Sequence, residues 1–162
     1  MINNRIIISG GGTAGHIFPA LSIAEELNNS GEKYNILFVG AKNRMEMVKV
    51  PLAGYKIKGL WIDGIQRKFS IRNIIFPLKL FISIIHSFFI IINFRPKCVV
   101  GTGGFASGPL LFAAALLRIP TIIHEQNSFP GLTNKLLGKL VDKICVSYDD
   151  MEKYLPSKKI VK

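Results

Sequence analysis

Three short stretches hold the residues that could do chemistry. The first, Gly10-Gly11-Gly12-Thr13-Ala14-Gly15-His16, sets a hydroxyl and an imidazole in bare glycine backbone. The second, Gly101-Thr102-Gly103-Gly104-Phe105-Ala106-Ser107-Gly108-Pro109, is a further glycine loop, and the third, His124-Glu125-Gln126-Asn127, gathers titratable and amide side chains. A glycine turn that opens a helix presents unpaired N–H groups and the positive end of the helix dipole, which together favour a phosphate or another anion. Gly10, Gly12 and Gly15 also satisfy the dinucleotide spacing G-x-G-x-x-G, but Ala41-Lys42-Asn43-Arg44 stands where that reading needs an acid for the ribose. NAD is therefore disfavoured, NADP would have to rest on Arg44, and the second glycine loop would be left without a purpose.

The elements around these stretches place them together. Ile6-Ile7-Ile8-Ser9 reads as a strand buried on both faces, and Pro19 to Leu27 as a helix with proline in its opening turn. Further strands are expected at Ile36–Gly40, Tyr55–Ile62, Cys98–Val100, Pro120–Ile123, Lys143–Ser147 and from Ile160. Helices are expected at Arg44–Val50, stopped by Pro51, and at Ile74–Phe94, Leu110–Leu117 and Gly131–Leu140, with a turn or two from Asp149 to Tyr154. Strands alternating with helices imply right-handed crossovers: a Rossmann-like α/β fold, a mainly parallel sheet with helices on both faces, formed by residues 1–162 as one domain. Ligands bind such sheets at the carboxyl ends of the strands, the rim on which all three stretches fall.

Lys and Arg number 21 against 10 Asp and Glu, an excess of 11 positive charges that calls for an anionic partner. The aromatic residues sit among aliphatics rather than among the basic residues, so nucleic acid is not that partner. Cys98 and Cys145 lie in apolar runs without metal spacing and are expected as buried, reduced thiols. The short apolar run before Gly10 is too brief for a secretory signal, which makes the cytoplasm the expected compartment. Ile74–Phe94 is very apolar, yet its longest run without a formal charge, Leu80–Phe94, is 15 residues, short of the roughly 18–20 that cross a bilayer. Arg72, Lys79, Ser83 and His86 share one narrow stripe of this helix. Two readings stand: a buried crossover helix, or one whose surplus apolar surface, including Phe81 and Phe88, meets a membrane flanked by Arg67, Lys68, Arg72 and Lys79.

The two glycine loops with His124-Glu125-Gln126-Asn127, together with Arg44-Met45-Glu46 and Gly131-Leu132-Thr133-Asn134, resemble the N-terminal domain of the MurG family of bacterial glycosyltransferases along essentially the whole chain. The resemblance implies the N-terminal half of a two-domain GT-B enzyme of peptidoglycan synthesis. That enzyme transfers N-acetylglucosamine with inversion from UDP-N-acetylglucosamine to undecaprenyl-diphosphate-MurNAc-pentapeptide (lipid I), giving lipid II. It implies no metal or other cofactor, and work at the cytoplasmic face of the cell membrane as a peripheral protein among other cell-wall synthesis proteins.

Inverting transfer needs a base for the acceptor hydroxyl and stabilisation of the leaving diphosphate. By this resemblance His16 is the base, since a helix N-terminus disfavours an imidazolium, with Glu125 the alternative base or a partner of sugar hydroxyls. Thr13, Ala14, Gly15 and Asn127 would bind UDP-N-acetylglucosamine, while Gly12, Gly103, Gly104, Ser107 and Gly108 would hold the acceptor diphosphate. The sequence departs from the family pattern at Ala14, where glycine is usual, at Phe105, where tyrosine is usual, and in ending at Lys162 without the expected nucleotide-binding domain. A non-catalytic module that binds a lipid diphosphate, and a GT-B transferase for another lipid acceptor, are the rival expectations.

Overall fold

Runs such as Ile6-Ile7-Ile8 and Ile36-Leu37-Phe38-Val39 cannot face water on either side, and both become inner strands of one sheet. The computed structural model describes residues 4–64 and 71–161. In chain order its elements are β1 (Arg5–Gly10), α1 (Ala14–Asn29), β2 (Asn35–Ala41), α2 (Glu46–Leu52), β3 (Lys56–Leu60) and α3 (Ile71–Phe94). They continue as β4 (Cys98–Gly103), α4 (Ser107–Leu116), β5 (Thr121–Glu125), α5 (Leu132–Leu137), β6 (Lys143–Val146) and β7 (Ile160–Val161), with single 3-10 turns at Met151–Lys153 and Ser157–Lys159.

The strands pair in the order β3-β2-β1-β4-β5-β6-β7, every neighbour parallel. The order reverses between β1 and β4, so the chain leaves these two neighbours toward opposite faces of the sheet and opens a crevice between their ends. One face is sealed by Ile6, Ile8, Phe38 and Val100 with Ala20 and Ala24 of α1; the other by Ile7, Val39, Val99 and Ile123 with Leu110 and Leu111 of α4 and Ile90 and Ile91 of α3.

Two boundaries differ from the sequence expectation in ways that shape the site. Helix α1 begins at Ala14, not at Pro19, which lies inside it. Its opening turn therefore consists of the glycine-loop residues themselves, and Pro19, having no N–H, leaves the Gly15 carbonyl without its helical donor. Strand β4 runs on to Gly103 and α4 starts at Ser107, which shortens the second loop to Gly104-Phe105-Ala106.

Helix α3 turns its small polar residues into the domain. Ser83 and Ser87 are fully buried, the first donating to the Trp61 carbonyl at 3.0 Å and the second to the Ser83 carbonyl at 2.7 Å. Lys79 is tied to Asp63 at 2.5 Å, and that ammonium holds the Asp63 carboxyl below its usual range. The polar stripe thus faces the domain, while Leu78, Phe81, Phe89 and Ile92 are 55–61% exposed. Ile74–Phe94, 21 residues of mean hydropathy 2.2, is long and apolar enough to cross a membrane, yet here it is the crossover from β3 to β4 and packs on α4.

Two expected membrane contacts are corrected by this geometry: Phe88 packs against the core, its neighbour Phe89 facing outward instead, and Lys79 is spent on Asp63. Arg67 and Lys68 lie outside the described residues, as does the side chain of Arg72. Cys98 and Cys145 are free and half-buried rather than fully buried, and burial raises both thiols above their ordinary value.

Candidate functional site

At the crevice the loops after β1 and β4 touch. The Gly11 N–H donates to the Gly103 carbonyl at 3.3 Å. Gly104 has a φ of +91°, and a Cβ there would sit 2.2 Å from the Gly11 carbonyl oxygen, so only glycine allows this approach. Gly104→Ala should therefore cost about 3 kcal/mol, from strain at positive φ and from prising the loops apart. Thermal unfolding would register this as a drop of roughly 5–10 °C, and an unshifted transition would show that the loops are not locked together.

The third stretch joins them through His16. The ring lies against Gly103, with its Nδ1 2.9 Å from the Thr102 carbonyl and 2.8 Å from the Gln126 side-chain amide. A carbonyl can only accept, so the network assigns the proton to Nδ1. Gln126 then faces the ring with its amide oxygen, the Nδ1 proton being shared between that oxygen and the Thr102 carbonyl. Nε2 keeps its lone pair, has no partner among the described residues and is not sealed from solvent. The Thr102 hydroxyl donates to the His16 carbonyl at 2.6 Å, fixing the backbone as well. Gln126, which sequence reasoning passed over, is the signal that the motif's third residue orients its distant histidine.

The opening turn of α1 is free. Thr13 takes an extended φ of −143°, its hydroxyl caps no helix N–H, and the N–H groups of Ala14 and Gly15 have no acceptor among the described residues. Ala14 keeps a negative φ, so its methyl does not disturb the turn. The N–H groups of Gly104 and Gly108 are likewise without an acceptor among the described residues.

Several expected roles change. The Gly12 N–H donates to Glu46 Oε2 at 3.0 Å, so that amide is not available to an anion. Ser107 is fully buried and its hydroxyl donates to the Gly103 carbonyl at 2.9 Å, locking the turn rather than meeting a diphosphate; Gly103 offers its carbonyl to this bond and is itself buried.

Glu125 is also fully buried. Its Oε1 accepts from the Asn127 N–H at 3.1 Å and the Asn127 side chain at 2.9 Å, and its Oε2 from the Gly131 N–H at 3.2 Å and Asn134 at 2.9 Å. A carboxylate so occupied is neither a base nor a partner for sugar hydroxyls; it aims the exposed Asn127, whose Oδ1 is left free to accept. His124 is structural, its ring beside Ser147 at 3.3 Å and pushed below the usual imidazole pKa by burial. The nicotinamide alternative loses Arg44, which pairs with Asp63 at 3.4 Å.

An imidazole with an open Nε2, a ring of unpaired amides and a strand-end asparagine at the switch point of a parallel sheet define an α/β domain with the elements of an anion site beside a basic nitrogen. Residues 6–146 match the model of the glycosyltransferase family 28 N-terminal domain. The chain belongs to this family. It is 55% identical over 97% of its length to a Flavobacterium psychrophilum protein, and 52% identical over 97% to one from Bacteroides fragilis. Both are named UDP-N-acetylglucosamine–N-acetylmuramyl-(pentapeptide) pyrophosphoryl-undecaprenol N-acetylglucosamine transferase.

Among solved structures, MurG of Acinetobacter baumannii superposes with a TM-score of 0.84 at 28% identity, covering 98% of this chain and 45% of that one. A UDP-GlcNAc 2-epimerase from Neisseria meningitidis, at 16% identity and a TM-score of 0.68 over 97% of this chain and 45% of that one, shares the fold alone. The fold is the Rossmann-like N-terminal half of a GT-B glycosyltransferase, as the motifs led one to expect. The chain spans 43% and 41% of the lengths of the two curated relatives.

Proposed function

We propose that this chain is the acceptor-side domain of an inverting N-acetylglucosaminyltransferase that converts lipid I and UDP-N-acetylglucosamine to lipid II. The observation that carries the reading is the His16 ring, oriented from two other segments, standing at the opening turn of α1. Nε2 of His16 takes the proton of the acceptor's sugar hydroxyl as that oxygen bonds to the anomeric carbon and the bond from that carbon to the diphosphate breaks, UDP leaving with the electron pair. The Ala14 and Gly15 amides and the Thr13 hydroxyl meet negative charge at the reacting end of the substrates. Asn127, held by Glu125, accepts a hydrogen bond from the donor through Oδ1. The Gly104 and Gly108 amides face the acceptor diphosphate. The relatives' greater length supports a second domain in the complete protein that carries most of the uridine diphosphate site. The test is the complete gene product with labelled UDP-N-acetylglucosamine and lipid I: labelled lipid II is expected, and no transfer, or transfer only to a different lipid acceptor, overturns the assignment.

The same reading seats the protein on the cytoplasmic face of the membrane, in reach of the lipid-linked acceptor and of other cell-wall synthesis proteins. The outward apolar side of α3 supports it, since a helix buried in a water-soluble domain turns such residues inward. Phe81→Ser with Phe89→Ser should lower binding to anionic liposomes by about 100-fold or more, each aromatic being worth on the order of 1.5–3 kcal/mol when fully withdrawn from water. Unchanged co-sedimentation of the double variant would place the contact elsewhere.

A further inference from the structure

Glu46 is a charged residue with no exposure, set in the first turn of α2 and reaching under the first glycine loop. Its Oε2 accepts the Gly12 N–H at 3.0 Å and its Oε1 accepts the Ala41 N–H at 2.9 Å, so one carboxylate ties the loop after β1 to the end of β2. The surrounding backbone is shaped to it: a Cβ on Gly11 would lie 2.1 Å from Glu46 Oε1, and one on Gly40 would lie 2.5 Å from its Cγ. A side chain held by two backbone donors in a slot walled by two glycines leaves the loop one conformation. In that conformation the Gly12 amide points inward to the carboxylate, while the amides that follow it, of Thr13, Ala14 and Gly15, have no acceptor among the described residues.

We propose that Glu46 is a positioning residue for the transfer: it sets the conformation of the β1–α1 loop and, through it, the placing of His16 and of the Ala14 and Gly15 amides on the reacting groups. This rests on the function proposed above. It does not touch substrate; it acts through the loop. The carboxylate is needed because two donors converge on it. Glutamine at this position would satisfy one of them and turn an N–H against the other, at almost unchanged volume.

The experiment compares the complete protein with its Glu46→Gln variant and with Ile144→Val, a fully buried and mildly destabilising change on β6 that does not touch the loops. Turnover with lipid I and UDP-N-acetylglucosamine at saturation should fall about 10- to 100-fold in Glu46→Gln, as a reacting group displaced by about 1 Å allows. KM for UDP-N-acetylglucosamine should stay within about threefold, and Ile144→Val should turn over like the wild type. Wild-type turnover in Glu46→Gln, or a loss that only follows the unfolded fraction, overturns the proposal. A wild-type protein that transfers nothing fails the earlier reading instead. The loop is then read by hydrogen exchange at the Gly12 amide, protected in the wild type and released in Glu46→Gln; equal protection in both overturns the role of Glu46 on its own.

Discussion

His16→Ala in the complete protein should lower kcat by about 10²- to 10⁴-fold, the range ordinarily supplied by a positioned general base. The fold should tolerate the change. The side chain is half-exposed, its hydrogen bonds are to the Thr102 carbonyl and the Gln126 amide, and the bond that anchors α1 to β4 uses the His16 backbone carbonyl, which alanine retains. Steady-state kinetics should show the deficit in kcat, with KM for UDP-N-acetylglucosamine little moved. Unaltered turnover would remove the imidazole from the chemistry and leave it as a spacer between Thr102 and Gln126.

Glu125→Ala should be the most damaging change to the fold of the site. It strips four donors of their acceptor: the Asn127 N–H, the Asn127 side chain, the Gly131 N–H and the Asn134 side chain. Buried unsatisfied donors cost about 1–3 kcal/mol each, and partial relaxation toward water brings the total to about 4 kcal/mol. Calorimetry or thermal unfolding should show a loss of roughly 8–16 °C, and KM for UDP-N-acetylglucosamine should rise because Asn127 is no longer aimed. Were Glu125 a base, the result would be the reverse: turnover abolished at wild-type stability. The two measurements on one variant separate these roles.

Most of the fold could be read from the sequence because its strands are apolar runs without alternation, the pattern a doubly covered parallel sheet demands. The convergence of the three stretches followed from topology alone, since loops at the carboxyl ends of neighbouring parallel strands share a rim. Less legible was which polar atoms are used inside the protein. Glu46 and Glu125 are both carboxylates beside glycine-rich loops, and composition gives no sign that every lone pair facing the loops is engaged by backbone or asparagine donors. Gln126 was missed for a related reason: its partner His16 lies 110 positions away, beyond any local pattern. The start of α1 lies earlier than Pro19, which suits a first turn, because the Ala14-Gly15-His16 segment before it, low in helix propensity at Gly15, becomes helical where β1 delivers it against β4. Helix α3 kept its periodicity, but the side its polar stripe faces was not legible, since Ser83 and Ser87 are small enough to be buried with their hydroxyls bonded to backbone carbonyls.

The bonds that assemble the crevice join residues 86 and 110 positions apart, from His16 to Thr102 and from His16 to Gln126. Such long loops must close before any of these contacts repays its entropy, so the pocket is a late event on the folding route. A nascent chain emerging from the ribosome cannot orient His16 across the β1–β4 seam until β5 has brought Gln126 to it. Ligands that bridge the seam should act as pharmacological chaperones, raising the opening temperature in proportion to the logarithm of their concentration.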